Sequence, residues 1–279
     1  KKQKQIDTLV SQASEMFNTM MTPLVGNVII ISPETGNINL CRTPKTKIEL
    51  TKNTLELFIG YDKVEAIAYH VCVNSIIRHS TKPLQIIPLA LNNLKDYQEK
   101  HTDGSNQFIY SRFLVPHLMG YQGHAIFIDG DMIVRGDIVE LWNLASPYMD
   151  VQVVKHNYKT KMPVKYLGAK NEDYPRKNWS SVILWNCGHP ANAAVTPEFV
   201  QNATGAQVHR FTWLTDDLIG ELPIEWNWLP DEYGPNLDAK LLHYTLGTPC
   251  FHEFATTPQG DEWHREHMLA DYCLQREVK

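Results

Sequence analysis

From Leu55 onward, short apolar runs alternate with stretches of helical period, which confines this part of the chain to an α/β sheet architecture. Leu55-Glu-Leu-Phe-Ile-Gly reads as a strand. After it, Val64, Ile67, Ala68, Val71, Cys72, Ser75 and Ile76 recur at the spacing of one buried helix face. Asp62 followed by Glu65 predicts a capping box. Tyr61 and Asp62 then fall where the strand's carboxyl end meets a helix N-terminus, the usual ligand crevice of an open α/β sheet. A helix is predicted from Ser111 to Leu118 through Pro116. Further strands are predicted at His124-Ala-Ile-Phe-Ile-Asp, Val151-Gln-Val-Val, Ser181-Val-Ile-Leu-Trp, Ile224-Glu-Trp-Asn and Lys240-Leu-Leu-His-Tyr. Before this pattern, Ile6 to Met20 reads as a helix, and Asn27-Val-Ile-Ile-Ile-Ser with Asn37-Ile-Asn-Leu reads as a hairpin around a Gly-containing turn. The expected organisation is an N-terminal helix-hairpin extension over 1–54 and one domain over 55–279.

Composition narrows the class of function. With 43% hydrophobic and 20% charged residues, the 279-residue chain is of globular type rather than disordered or fibrous. A formal charge of −5 argues against a protein held everywhere on nucleic acid by its charge. Five cysteines, an odd number without any C-x-x-C spacing, suggest neither a disulfide framework nor a zinc cluster, and fit a reducing compartment. The expected location is cytoplasmic, with a membrane-peripheral placement left open. There is no run of eighteen apolar residues to cross a bilayer. The chain starts on Lys rather than Met, as expected of a trimmed chain, which leaves a preceding targeting segment open.

Chemistry concentrates in Ala125-Ile-Phe-Ile-Asp-Gly-Asp-Met-Ile-Val. Asp129 and Asp131 stand at i and i+2, so an extended backbone sends both carboxylates to one side. Gly130 between them is expected to leave room for a ligand against the backbone. Two carboxylates are hard oxygen ligands for Mg²⁺ or Mn²⁺ and leave coordination sites open for phosphate oxygens. A solvated turn explains a bare D-x-D by residue type just as well, so the surrounding segments carry the distinction. Lys155 to Lys177 holds seven bases against two acids, which reads as a solvated loop or as a surface for an anionic acceptor. Trp185, Trp226 and Trp228 are candidates for stacking on a sugar ring. Trp263-His-Arg-Glu-His is read as a surface helix rather than a zinc motif.

Five blocks between about Leu55 and Phe251 resemble, in order, the retaining glycosyltransferases of family 8, the glycogenin and bacterial lipopolysaccharide galactosyl- and glucosyltransferase group. Phe58-Ile-Gly-Tyr-Asp with Val73-Asn-Ser-Ile is similar to the family's opening strand and helix, whose loop holds uridine. Tyr110-Ser-Arg-Phe-Leu-Val-Pro resembles Y-x-R-x-x-x-P, which makes Arg112 a donor contact. Phe127-Ile-Asp-Gly-Asp-Met-Ile-Val with Gly136-Asp-Ile-Val-Glu-Leu-Trp resembles the metal-binding D-x-D and the G-D-I-x-x-L-W that follows it. Trp179-Ser-Ser-Val-Ile-Leu-Trp-Asn is similar to the strand lining the sugar pocket, with Ser181 where the family usually has Gly. Thr215-Asp-Asp-Leu, Leu222-Pro-Ile-Glu-Trp-Asn and Leu242-His-Tyr-Thr-Leu-Gly-Thr-Pro-Cys-Phe resemble D-Q-D-x-L, L-P-x-x-W-N and H-Y-x-G-x-x-K-P-W. The lysine of the last element has no counterpart, since Thr248-Pro-Cys occupies its place.

The resemblance implies a GT-A fold, a Rossmann-like mixed, mostly parallel sheet flanked by helices. It implies a metal-dependent retaining glycosyltransferase that moves a hexose from a UDP-sugar to an acceptor hydroxyl of a glycan, lipid-linked or other molecule. Asp129, Asp131 and His243 are the implied metal ligands. Tyr61, Asp62, Arg112, Gly130, Ser181 and Gly247 are the implied donor-binding residues, and Asp216 and Asp217 the candidates for nucleophile or ion-pair stabiliser. Two other readings compete: a catalytically decayed glycan- or nucleotide-sugar-binding protein on the same fold, and a nucleotidyltransferase. The latter expects a Gly-rich phosphate loop where Gly60-Tyr-Asp-Lys-Val supplies one glycine.

Overall fold

The computed structural model describes residues 54–271 and, before them, two strands of a hairpin. The chain separates into two compact units, 1–53 and 54–279. In the first, β1 (Asn27–Ile31) pairs antiparallel with β2 (Ile38–Arg42), Asn27 opposite Arg42 and Ile31 opposite Ile38. The helix expected over Ile6–Met20 lies outside the described residues.

The second unit is built on a six-stranded mixed sheet. Its strands are β3 (Leu55–Gly60), β4 (Leu84–Leu89), β5 (His124–Ile128), β7 (Val151–Val153), β8 (Val182–Asn186) and β9 (Ile219–Glu221), in the order β4-β3-β5-β8-β7-β9. Pairings β3 with β4, β3 with β5 and β7 with β9 are parallel, and β8 runs antiparallel to both of its neighbours. Two further strands, β6 (Met132–Val134) and β10 (Leu241–His243), form a separate antiparallel pair. β4, β6 and β9 were not predicted from the sequence. Ile224–Asn227, read above as a strand, is a 3-10 turn. Pro223 fixes the backbone just before it, and Ile224 points outward at 44% exposure, so the apolar run there is not a buried strand face.

Strand alternation sorts the side chains into two cores. Phe58, Phe127, Ile183, Trp185 and Val151 pack on one face of the sheet. Leu57, Ile59, Ile126, Ile128 and Leu184 pack on the other, under α1 (Ala66–His79) through Cys72 and Ile76. The helix face follows the predicted spacing at Ala68, Val71, Cys72, Ser75 and Ile76, whereas Val64 precedes the helix and is 54% exposed. Trp185 and Trp226 are buried in these cores, so neither presents a face to a sugar. Two more helices matter below, α2 (Gly205–His209) and α3 (Gly260–Asp271). Among the described residues no helix is long and apolar enough to cross a membrane.

Gly130 has a structural reason other than the one expected. A Cβ at this position would sit 2.3 Å from the Gly60 carbonyl oxygen, so the absent side chain lets the bend after β5 pack on the end of β3. The space a side chain would take is filled by that carbonyl. Gly130→Ala therefore pits one backbone against another, which costs about 3 kcal/mol. A fall in thermal midpoint of roughly 6–12 °C is expected for a domain this size. An unchanged midpoint in a thermal scan would refute the packing argument.

Candidate active site

The sheet ends where the chemistry starts. Beyond the last β5–β8 pair, the Asp129 N–H donates to the Ser181 carbonyl at 3.0 Å, extending the ladder by one rung. The chain then bends at Gly130 and Asp131 and enters β6. Because β6 pairs with β10 so that Met132 faces His243, and the Tyr244 N–H donates to the Asp131 carbonyl at 3.1 Å, the imidazole arrives beside the acidic pair. One ligand atom each from Asp129, Asp131 and His243 lie within 4.8 Å of one another. His243 Nε2 stands 3.4 Å from Asp131 Oδ1 and 3.9 Å from Asp129 Oδ2.

Hydrogen-bond bookkeeping fixes how the ring is presented. The Asn178 carbonyl can only accept, and it takes the Ser181 hydroxyl at 2.7 Å and, at 3.4 Å, the Asn227 amide. Ser181 Oγ, its proton committed, accepts from Asn227 Nδ2 at 2.8 Å. The Asn227 Oδ1 is thereby turned to accept from His243 Nδ1 at 2.9 Å. In the neutral ring the Nε2 lone pair then faces the two carboxylates, the supporting arrangement typical of a metal-ligating histidine. Asp131 Oδ1 is buried without a hydrogen-bond donor. Three electron-pair donors aimed at one point, one of them an orphaned buried oxygen, fit a divalent cation. Asn227 was not singled out in the sequence as a supporting residue.

Arg112 lies behind the cluster, 4% exposed, with Nη1 2.7 Å from Asp129 Oδ1. It also donates to the carbonyls of Ser180 at 3.0 Å and Phe108 at 3.3 Å, and stacks over the rings of Phe108 and Phe127. Burial pushes the Asp129 carboxyl up to about 6 against the downward pull of Arg112. At Asp131 burial also acts upward and is the largest single influence, but His243, Lys165 and Arg112 outweigh it and the carboxyl sits below its ordinary value. Glu65 stands near this group, pushed up to about 8 by burial and by the charge of Asp131. Its Oε2 accepts from the Thr248 hydroxyl at 2.9 Å, so the capping box expected with Asp62 does not form.

The segment between β7 and β8 roofs this cavity with Lys165, Tyr166 and Tyr174. Tyr166 is anchored by its N–H to the Leu246 carbonyl at 2.7 Å, by its hydroxyl to the Ser105 carbonyl at 3.1 Å, and by stacking on Phe251. Lys165 supplies a cation from a part of the chain remote from the missing family lysine. Burial lowers its ammonium below the ordinary value while Asp131 and Asp129 pull it back up. His209, from α2, completes the lining; no motif in the sequence signalled it.

The other expected site residues divide. Ser181 and Arg112 line the cavity beside Asp129, Asp131 and His243. Asp62 lines an adjoining cavity that shares Ser105, Asn106 and Ile109 with the first, and its two oxygens accept from the Val64 and Gln107 N–H groups, each at 2.9 Å. Tyr61 lines neither cavity; its N–H donates to the Leu89 carbonyl at 3.2 Å. Nor does Gly247, whose lack of a side chain accommodates the Phe254 ring. Asp216 and Asp217 are exposed and are not brought to the cluster; Asp216 pairs with Arg176 instead. The basic segment is dispersed as well. Lys177 is buried on Asn171 and Glu172, Arg176 lies over Trp179, and Lys165 faces inward, so the seven bases form no single outward surface.

A family model described as glycosyl transferase family 8 matches residues 29–188. Protein CDI of Arabidopsis thaliana is 41% identical over 224 residues, covering 77% of this chain and 86% of that protein. Among solved structures, the galactosyltransferase LgtC in complex with donor and acceptor sugar analogs aligns over 79% of this chain and 98% of its own, with a TM-score of 0.52 and 10% identity. The glycosyltransferase GlyE of Streptococcus pneumoniae TIGR4 aligns over 77% of this chain with a TM-score of 0.53 and 14% identity. The chain spans 61% of the GlyE chain and half of the WbbM bifunctional glycosyltransferase chain. The mixed, mostly parallel sheet with flanking helices is the GT-A fold of these neighbours. By family match and by this degree of identity, the chain belongs to glycosyltransferase family 8.

Proposed function

We propose that residues 55–279 form a metal-dependent retaining glycosyltransferase that moves a hexose from a UDP-sugar to an acceptor hydroxyl. The observation that carries this is the convergence of Asp129, Asp131 and the Nε2 of His243 on one point, with Asn227 holding the ring in register. The mixed oxygen and nitrogen donor set suits Mn²⁺, with Mg²⁺ the alternative. Held by these three residues, such an ion would supply Lewis-acid stabilisation of the negative charge on the departing UDP. Around it the chain's own residues have separable tasks. Asp129 and Asp131 hold the charge, Arg112 keeps Asp129 ionised and oriented, and Lys165 adds a cation where diphosphate oxygens would lie. Tyr166, buried and anchored at the cavity, shields it from water on that side, which strengthens the charge interactions inside. Retention of configuration rests on family membership. The acceptor is a glycan, lipid-linked or other hydroxyl compound.

The test is UDP release from UDP-glucose and from UDP-galactose, with Mn²⁺ and with EDTA, alongside a thermal-shift panel of the same ligands. Turnover and a raised midpoint that both require the cation support the proposal. A midpoint raised by UDP-sugar without any turnover, even with acceptor sugars supplied, would favour the catalytically decayed binding protein. No response to any nucleotide sugar would sink both.

A further inference from the structure

His209 lines the cavity, yet neither the cation cluster nor the diphosphate explains it. Its helix, α2, is only one turn long but is held by a closed capping box in which Thr204 and Gln207 exchange side-chain and backbone bonds. The ring stands edge-on to Phe113, with centroids 5.2 Å apart, and its Nδ1 lies 2.6 Å from Ser180 Oγ. Ser180 is itself 4% exposed, and its carbonyl is held by Arg112. The other ring nitrogen, Nε2, is buried with no hydrogen-bond partner among the described residues, in a ring that lines the cavity with Arg112, Asp129, Ser180 and Ser181. A packed imidazole with one nitrogen satisfied and the other left over, in a ring that lines a cavity, offers a ligand there a hydrogen-bond partner.

The chemistry of the neighbours says which ligand. Burial, with Arg112 and Lys165 close by, holds the ring well below its ordinary titration range, so it is a neutral group and not an anion-binding cation. The negative charge of a nucleotide sugar already has partners here in a cluster-bound cation and Lys165. With the uridine expected at the loop of Asp62, which lines the adjoining cavity, what remains of the donor for this cavity is its uncharged sugar, and a sugar hydroxyl both donates and accepts. Whichever way the proton lies between Ser180 and Nδ1, Nε2 is therefore complementary to it. We propose that His209, set in place by Ser180, hydrogen-bonds a hydroxyl of the donor hexose and so takes part in choosing the sugar. This inference rests on the reading of the site as a nucleotide-sugar site.

The experiment is calorimetric titration of the full chain with UDP and with UDP-glucose and UDP-galactose, all in Mn²⁺. Two variants are compared with the unmodified protein. His209→Phe keeps the aromatic packing but removes both nitrogens. The double variant Ser180→Ala/His209→Phe also removes the hydroxyl that the single change would strand, so that one of the two remains folded and measurable. Affinity for the better UDP-hexose is expected to fall about tenfold while affinity for UDP stays within about twofold. A merely structural role would weaken UDP and UDP-hexose together, and that result overturns the inference. So do unchanged affinities for both. If the unmodified protein binds UDP but no UDP-hexose, or neither, the nucleotide-sugar reading fails first and the inference falls with it.

Discussion

Asp131→Asn is expected to lower UDP-sugar turnover by about 10²–10³-fold without unfolding the protein. Asparagine preserves the shape of the side chain and one coordinating oxygen but removes a full negative charge from the point on which Asp129 and His243 also converge. The cation then loses Coulomb attraction, and at the position of the orphaned Asp131 oxygen it meets at best a neutral amide oxygen, a weaker ligand. Stability in EDTA is expected to fall only modestly. Asp131 repels Asp129, but it is itself held ionised by His243, Lys165 and Arg112, which outweigh its burial, so removing its charge gives up more attraction than repulsion. The signature is a variant that melts slightly lower than the unmodified protein in EDTA, yet gains nothing from Mn²⁺ and UDP where the unmodified protein gains several degrees. Turnover within about threefold of the unmodified protein would remove the cation cluster from the mechanism, because a single lost donor to a developing charge already costs more.

The acidic pair was legible because it is local: two Asp separated by one residue at the end of an apolar run identify themselves by residue type and position. Strands β3, β5 and β8 were legible for a similar reason, being short apolar runs with polar ends. His243 needed the family pattern, since nothing in Leu-Leu-His-Tyr distinguishes a ligand from a core histidine; its role depends on β10 pairing with a strand more than a hundred residues earlier. Asn227, Lys165 and His209 were harder still. Asn227 sits in a 3-10 turn that looked like a strand, Lys165 was one base among seven, and His209 occupies a one-turn helix too short to show a period. Each comes to the candidate site only through what the tertiary structure sets beside it. Gly130 shows the converse hazard: a glycine between two ligands invites a ligand-based explanation, while the contact that forbids a side chain there is the Gly60 carbonyl. Asp216 and Asp217 fell beside a family motif in the sequence but on the surface in the structure.

Arg112→Met is expected to be the most destabilising single change at the site, at about 3–5 kcal/mol in cation-free buffer. The guanidinium and the Asp129 carboxylate are both nearly excluded from solvent, at 4% and 6% exposure, so removing Arg112 leaves Asp129 either charged in a poor solvent for charge or forced to take up a proton. Methionine fills the space between Phe108 and Phe127 and removes packing loss from the comparison. At about 2–4 °C per kcal/mol the midpoint should fall by roughly 6–20 °C. Two further measurements separate charge from shape. Mn²⁺ should stabilise Arg112→Met more than it stabilises the unmodified protein, since a cation bound by Asp129 restores the missing positive charge and Asp129 is no longer shared with arginine. The double variant Arg112→Met/Asp129→Asn should recover much of the lost midpoint in EDTA, because the stranded charge is gone, while remaining indifferent to Mn²⁺. A double variant as unstable as the single one would mean that Arg112 holds the fold through its bonds to the Ser180 and Phe108 carbonyls, and that its pairing with Asp129 contributes little. On the proposed reading of the site, the Asp129–Arg112 pair sets an ionised ligand in place ahead of the cation, so that binding energy need not be spent on turning that carboxylate inward.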